Sequence, residues 1–184
     1  QQLEEASKPW LAASFWRLDL QGLKTSLEED PWLKSVHLTR QWPNILRIEL
    51  VERHPWAHWQ GKLIDKQGEG FAPANASELT LARSLSVEEE KLAEAVKFWQ
   101  DFDILLQANQ LSLTQLTLTP RGSWQLKLTN GIEIYLGSSL IEQRLQQFIL
   151  AWQGWLEMQS SNIASIDLRY PNGLAVAWLN PAAN

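Results

Sequence analysis

The histidines are the first side chains in this sequence that could do chemistry, because two of the three are four residues apart. His54 and His58 have the spacing of two zinc ligands on one face of a helix. Pro55 lies between them, however, in a segment whose pattern is typical of extended chain, and the sequence contains no cysteine. The third histidine, His37, is next to Leu38 on a predicted strand. We therefore predict no metal site and three ordinary, partly exposed histidines.

The acidic residues form no pattern that indicates catalysis. Glu88, Glu89 and Glu90 stand at the start of a predicted helix, where the helix dipole stabilises negative charge. Asp167 alternates with apolar neighbours and is expected to face the polar side or to pair with a base such as Arg169. The sequence also lacks a Gly-x-Ser-x-Gly motif and a glycine-rich phosphate loop. We predict a protein that is not an enzyme and has no cofactor.

Length and charge exclude several classes of protein. A chain of 184 residues can bury roughly 70% of its unfolded surface, enough for one large or two small domains. A formal net charge of -5, with the basic residues scattered, argues against nucleic acid as a partner. No apolar run approaches the roughly 20 residues of a membrane span. The first residues, QQLEEASK, lack the features of an export signal, so we expect either a cytoplasmic protein or part of a longer one.

Two runs of alternating apolar residues within 31–59 predict a β-hairpin. Pro43 fixes its own φ angle and Asn44 tolerates left-handed geometry, so residues 41–44 are the expected turn. This hairpin must cover the apolar side of a neighbouring element, because each strand has only one apolar face.

That neighbour is a short amphipathic helix predicted for residues 19–29, with Asp19 as its N-cap. We expect Trp42 to pack near Trp32 or Trp59 and so to hold the hairpin against the helix. Helix and hairpin together make an α/β unit in the first third of the chain.

The rest of the sequence predicts a larger unit of strands with two helices. Polar residues at strand positions such as Thr117, Gln125 and Lys127 leave one face of the sheet without apolar cover, so both helices are expected on the other face. The predicted elements are a strand at 62–65, a surface loop at 72–85, a helix from a capping box at 86–89 to about 107, strands near 116–118, 124–128 and 132–136, a helix near 139–158, and a hairpin at 163–179.

The hairpin at 31–59 resembles the periplasmic part of the bacterial cell-division family FtsQ, called DivIB in Gram-positive organisms. The resemblance continues to Trp178 and covers nearly the whole chain. It implies an α+β protein with a POTRA-like domain at 1–55, without the strand that begins this unit in the family, and a C-terminal β domain at 56–184. The matching positions include Pro31, Trp32, Val36, Arg40, Trp42, Pro43, Leu46, Ile48, Val51, Glu52, Pro55, Ala57 and Trp59.

The family resemblance also implies a function and partners. It implies a non-enzymatic scaffold of the divisome that links early, cytoplasmic division proteins to late, periplasmic ones. The implied partners are FtsB and FtsL, together with FtsK and the septal peptidoglycan synthases. The implied location is the division septum, as the periplasmic region of a single-pass inner-membrane protein whose membrane helix precedes the residues given.

The same resemblance places the partner-binding surface on the last hairpin. The implied binding residues are Arg169, Tyr170, Asn172, Gly173, Leu174 and Trp178, while Trp32, Arg40, Trp42 and Pro43 are assigned to structure. Arg169 suits a bidentate pair with a partner carboxylate, and Tyr170 and Trp178 offer apolar area with a polar tip. If Tyr170 and Trp178 are core residues instead, the hairpin is not the interface.

The main alternative is a POTRA-containing adaptor for protein translocation or outer-membrane assembly. That alternative predicts tandem POTRA units, and the sequence contains no internal repeat. A periplasmic hydrolase is the least favoured alternative.

Overall fold

The computed structural model describes residues 18–171 and 173–179. Within them, one helix and a two-stranded hairpin form a first unit, and a nine-stranded sheet carries two longer helices in a second unit. Helices and strands occur in both units, which confirms the predicted α+β class. We propose a domain boundary near residue 55, between the hairpin and the sheet.

The first unit consists of helix α1 (Leu20–Glu28) packed on strands β1 (Leu33–Gln41) and β2 (Ile45–Glu52). The Asp19 carboxylate accepts hydrogen bonds from backbone N–H groups of the first turn at 3.0 and 3.1 Å, so the predicted N-cap is confirmed. The two strands pair antiparallel, as predicted. Helix and hairpin share a small core of buried residues: Leu23, Leu27, Leu33 and Val36.

The predicted packing of Trp42 is wrong. Its side chain is 85% exposed at the end of the hairpin. Trp32 instead packs edge-to-face on Phe71, with ring centroids 5.6 Å apart, and Trp59 donates its indole N–H to the Val87 carbonyl at 2.9 Å. Both indoles therefore have their contacts in the second unit, and the exposed Trp42 does not hold the hairpin against the helix.

Arg40 has a structural contact that the sequence pattern did not define. Its guanidinium donates a hydrogen bond to the backbone carbonyl of Leu18, directly before α1. Arg40 therefore ties β1 to the start of the helix that covers it. Pro43 lies at the predicted turn, where the preceding peptide bond is cis.

The second unit is one mixed sheet in the order β11-β10-β9-β8-β7-β6-β3-β4-β5. Three neighbouring pairs are parallel, β3 with β6, β6 with β7 and β9 with β10, and the others are antiparallel. The strands are β3 (Ala57–Trp59), β4 (Lys62–Ile64), β5 (Gly70–Phe71), β6 (Ser84–Ser86), β7 (Leu113–Leu118), β8 (Trp124–Leu128), β9 (Glu133–Gly137), β10 (Ile163–Asp167) and β11 (Ala175–Trp178).

Both long helices lie on the same face of this sheet, as predicted. Helix α2 (Leu92–Gln107) follows a 3-10 turn at Glu89–Lys91, and α3 (Ile141–Ala151) continues into a π-helical turn at Trp152–Leu156 and a 3-10 segment at Glu157–Asn162. They share one core with the sheet. Its fully buried members include Trp99, Leu106, Leu116, Leu126, Ile134, Phe148 and Ile166.

Two local predictions in the second unit are wrong. The capping box at 86–89 does not form, because Ser86 belongs to β6 and α2 begins at Leu92 without a side-chain cap. The predicted surface loop at 72–85 contains the start of β6, which lies in the middle of the sheet. Only Leu85 of this three-residue strand is buried, so the strand leaves no alternating pattern to recognise.

Candidate partner-binding site

Strand β11 forms one edge of the sheet. Among the described residues it pairs only with β10, antiparallel, with Ile166 opposite Val176. The Leu179 N–H donates toward β10, to the Asn162 carbonyl at 2.7 Å. Because backbone groups alternate along a strand, the N–H groups of Trp178 and Val176 point to the open side. This edge can therefore accept a further strand through main-chain hydrogen bonds.

The side chains that the resemblance assigned to binding differ in their exposure. Tyr170 is 56% exposed and Trp178 is 48% exposed, so neither is a core residue. Arg169 and Gly173 are also exposed, whereas Leu174 is half-buried and packs against the main core. Asn172 lies outside the described residues. The remaining residues thus surround the β10–β11 turn and the open edge.

Arg169 already has a carboxylate partner within the chain. Its guanidinium donates to Asp167, with Nε 2.9 Å from Oδ1 and Nη2 2.5 Å from Oδ2. The hydrogen bonds from Arg169 outweigh partial burial and hold the pKa of Asp167 below its ordinary value. This pair was among the sequence predictions. A carboxylate of a partner would have to share the exposed side of this guanidinium with Asp167.

A second arginine fixes the backbone behind the turn, and sequence reasoning missed it. Arg144 of α3 donates to the Leu136 carbonyl at 2.5 Å and to the Arg169 carbonyl at 3.4 Å. It can approach so closely because Gly137 has a φ of +79° and no side chain. A Cβ there would lie 2.5 Å from the Arg144 guanidinium. The only signal in the sequence was the presence of a basic residue, Arg144, near the start of the predicted helix at about 139–158.

An apolar cluster beside the edge was also missed. The rings of Trp155 and Trp178 lie 6.4 Å apart between centroids, and the two residues are 44% and 48% exposed. Met158 and Leu179 are exposed nearby in sequence. Trp155 belongs to the π-helical turn, whose buried residues are Trp152 and Leu156. Exposed indoles at a sheet edge are typical anchors for a protein partner.

The described residues contain no group of three His, Cys, Asp or Glu side chains that could hold a metal ion. None of the helices in ranges 18–171 and 173–179 is both long and apolar enough to span a bilayer.

The fold and the edge together define a class of protein: a POTRA-type unit followed by a sheet domain that presents an open terminal strand. The family model for the FtsQ-type POTRA domain matches residues 1–53. The family model described as cell division protein FtsQ/DivIB, C-terminal, matches residues 56–169.

Similar proteins from several bacteria agree with these matches. Cell division protein FtsQ of Coxiella burnetii is 33% identical over 92% of this chain and 70% of its own length. The FtsQ protein of Shewanella oneidensis is 34% identical over 96% and 67%. That of Cellvibrio japonicus is 32% identical over 90%, and there the chain spans only 52% of the relative. The chain belongs to the FtsQ/DivIB family of bacterial cell division proteins.

Proposed function

We propose that this chain is a non-enzymatic scaffold of the divisome that binds FtsB, and through it FtsL, at the open edge of β11. The observation that carries the proposal is the position of Tyr170 and Trp178, both exposed, at either end of the β10–β11 hairpin. The outer edge of β11 has no neighbouring strand among the described residues. A strand from the partner would bond to the open N–H and C=O groups. The two aromatic side chains would supply apolar contact at each end.

The family resemblance supports the wider setting. We propose that the chain is the periplasmic region of a single-pass inner-membrane protein at the division septum. It would link early, cytoplasmic division proteins to late, periplasmic ones. FtsK and the septal peptidoglycan synthases are further proposed partners.

Tyr170→Ala and Trp178→Ala should each weaken binding of the FtsB periplasmic segment by about 2 kcal/mol, a typical hot-spot loss. Arg169→Glu should weaken binding more at low salt than at high salt, because the lost contact is an exposed charge. Isothermal titration of the purified chain with an FtsB peptide gives these values, and circular dichroism shows whether each variant is folded.

Trp42→Ala is the matched control, because it removes an exposed tryptophan of the first unit, far from the β11 edge in the sequence. It should bind FtsB as the unmodified chain does. If the three hairpin variants stay folded and also bind with unchanged affinity, β11 is not the interface.

A further inference from the structure

Four charged side chains meet where the first unit contacts the second. Lys34 of β1 lies 3.0 Å from Asp65 and 3.2 Å from Glu69, measured from Nζ to the nearest carboxylate oxygen. Arg53, which follows β2, lies 3.1 Å from Glu69 and 3.8 Å from Asp65, measured from Nη1. Both cations come from the first unit and both carboxylates from the β4–β5 turn of the second. We call these four residues the junction cluster.

Asp65 is the centre of the junction cluster because it is buried. It is only 3% exposed, and it is the one buried polar or charged residue among the described positions. Its Oδ1 accepts from the backbone N–H groups of Gln67 and Glu69 at 2.9 and 3.0 Å, which fixes the β4–β5 turn. Its other oxygen, Oδ2, is left to face Lys34 and Arg53. The Asp65 carboxylate thus fixes the β4–β5 turn and also binds two side chains of the first unit.

The charge of Asp65 is maintained despite its burial. Burial raises the pKa of the carboxyl, but the hydrogen bonds from the Glu69 N–H, Lys34 and the Gln67 N–H outweigh it, and the pKa lies below its ordinary value. An ionised carboxylate out of water is stable only while its partners stay in place. A rotation of the first unit away from the turn would therefore leave a buried charge unpaired.

Apolar contacts at the same junction restrict the same motion. Trp32 packs edge-to-face on Phe71 with centroids 5.6 Å apart, and the Arg53 guanidinium lies 5.6 Å above the Phe71 ring. The backbone N–H of Arg53 also donates a hydrogen bond to the Trp32 carbonyl at 2.7 Å. Trp32 and Arg53 are therefore linked, and the same motion would break both of their contacts with Phe71. Domains joined by a short connection usually move relative to each other unless their interface is specific.

We propose that Asp65 is a positioning residue that locks the first unit in one orientation on the second. Its turn-fixing hydrogen bonds hold the carboxylate in place, and its charge holds Lys34 and Arg53. The chain then acts as one rigid body, in which the first unit lies at a fixed distance from the β11 edge. This inference does not depend on which partner binds that edge.

Pulsed electron–electron double resonance measures the lock directly, because the chain has no cysteines and takes two introduced ones without interference. Spin labels at Thr25→Cys in α1 and Gln146→Cys in α3, both exposed, report the distance between the units. The otherwise unmodified chain should give one narrow distance distribution. Asp65→Asn keeps an oxygen for the turn and removes the charge, so the distribution should become about twofold wider or more.

Asp101→Asn is the control, since it removes an exposed carboxylate of α2 that lies outside the cluster. It should leave the distribution narrow. Lys34→Met removes the cation that the first unit contributes to the same ion pair. It provides the test if Asp65→Asn does not fold. It should widen the distribution while circular dichroism stays unchanged. If the folded variants of Asp65 and Lys34 both keep the narrow distribution, the junction cluster is not a lock.

Discussion

At the scale of single residues, exposure separates the tryptophans that stabilise the fold from those free to contact a partner. Trp56, Trp59, Trp99, Trp124 and Trp152 are buried, while Trp42, Trp155 and Trp178 are exposed. Composition predicts that most tryptophans of a domain are buried, but not which ones. Trp42 was misassigned because its hairpin pattern fixes the turn and says nothing about what lies beside the turn.

Trp42 and Trp99 should therefore differ strongly on replacement by alanine. Trp99→Ala removes a fully buried indole from the main core and should lower the free energy of unfolding by about 3–5 kcal/mol. Trp42→Ala changes an exposed side chain and should alter it by less than about 0.5 kcal/mol. Urea unfolding followed by fluorescence measures both. A large loss for Trp42→Ala would contradict the exposed position of this side chain.

The charge of Asp65 should make stability depend on pH. Since its pKa is lowered on folding, its contribution is present above the ordinary value of 3.8 and is lost as the pH falls below it. At pH 7 the unmodified chain should be more stable than Asp65→Asn, and this difference should shrink as the pH falls below 3.8. Urea unfolding of both proteins from pH 7 to pH 3 tests this. A difference that does not change with pH would show that the charge contributes nothing.

At the scale of elements, the sequence was informative wherever an apolar pattern was long enough. The helix beginning after Asp19, the hairpin turning at Pro43 and the meander from β7 to β9 have the predicted positions. These elements bury one face each, so their periodicity is visible in the residues.

The sequence was uninformative where tertiary contacts decide local structure. β6 is a strand because it lies between β3 and β7, and its three residues have no pattern of their own. The helix expected to run to Met158 changes to a π-helical turn at Trp152–Leu156, and Trp155 in this turn lies beside Trp178. Asp65 stands at the end of a predicted strand, and the sequence does not reveal its ion pairs, because its partners Lys34 and Arg53 are distant in sequence.

At the scale of the whole molecule, the family match and the fold agree, and the binding site itself is the part still proposed. Of the six residues assigned to it from sequence, the structure places Arg169, Tyr170, Gly173 and Trp178 at the surface of one hairpin. Arg169 already forms an ion pair with Asp167 of the same chain. Two further residues lie beside this hairpin: Arg144 of α3 and Trp155 of the π-helical turn that follows it. Both are more than 20 residues away from their hairpin contacts in the sequence.

Amide hydrogen exchange, followed residue by residue by NMR with and without the FtsB periplasmic segment, tests the central claim most directly. The outward N–H groups of Val176 and Trp178 should exchange fast in the free chain and slowly in the complex, because a partner strand bonds to them. The Leu179 N–H, already bonded to Asn162, is the internal reference and should be protected in both. Slow exchange appearing elsewhere, such as on β1 or β2, while Val176 and Trp178 stay fast would contradict binding at the β11 edge.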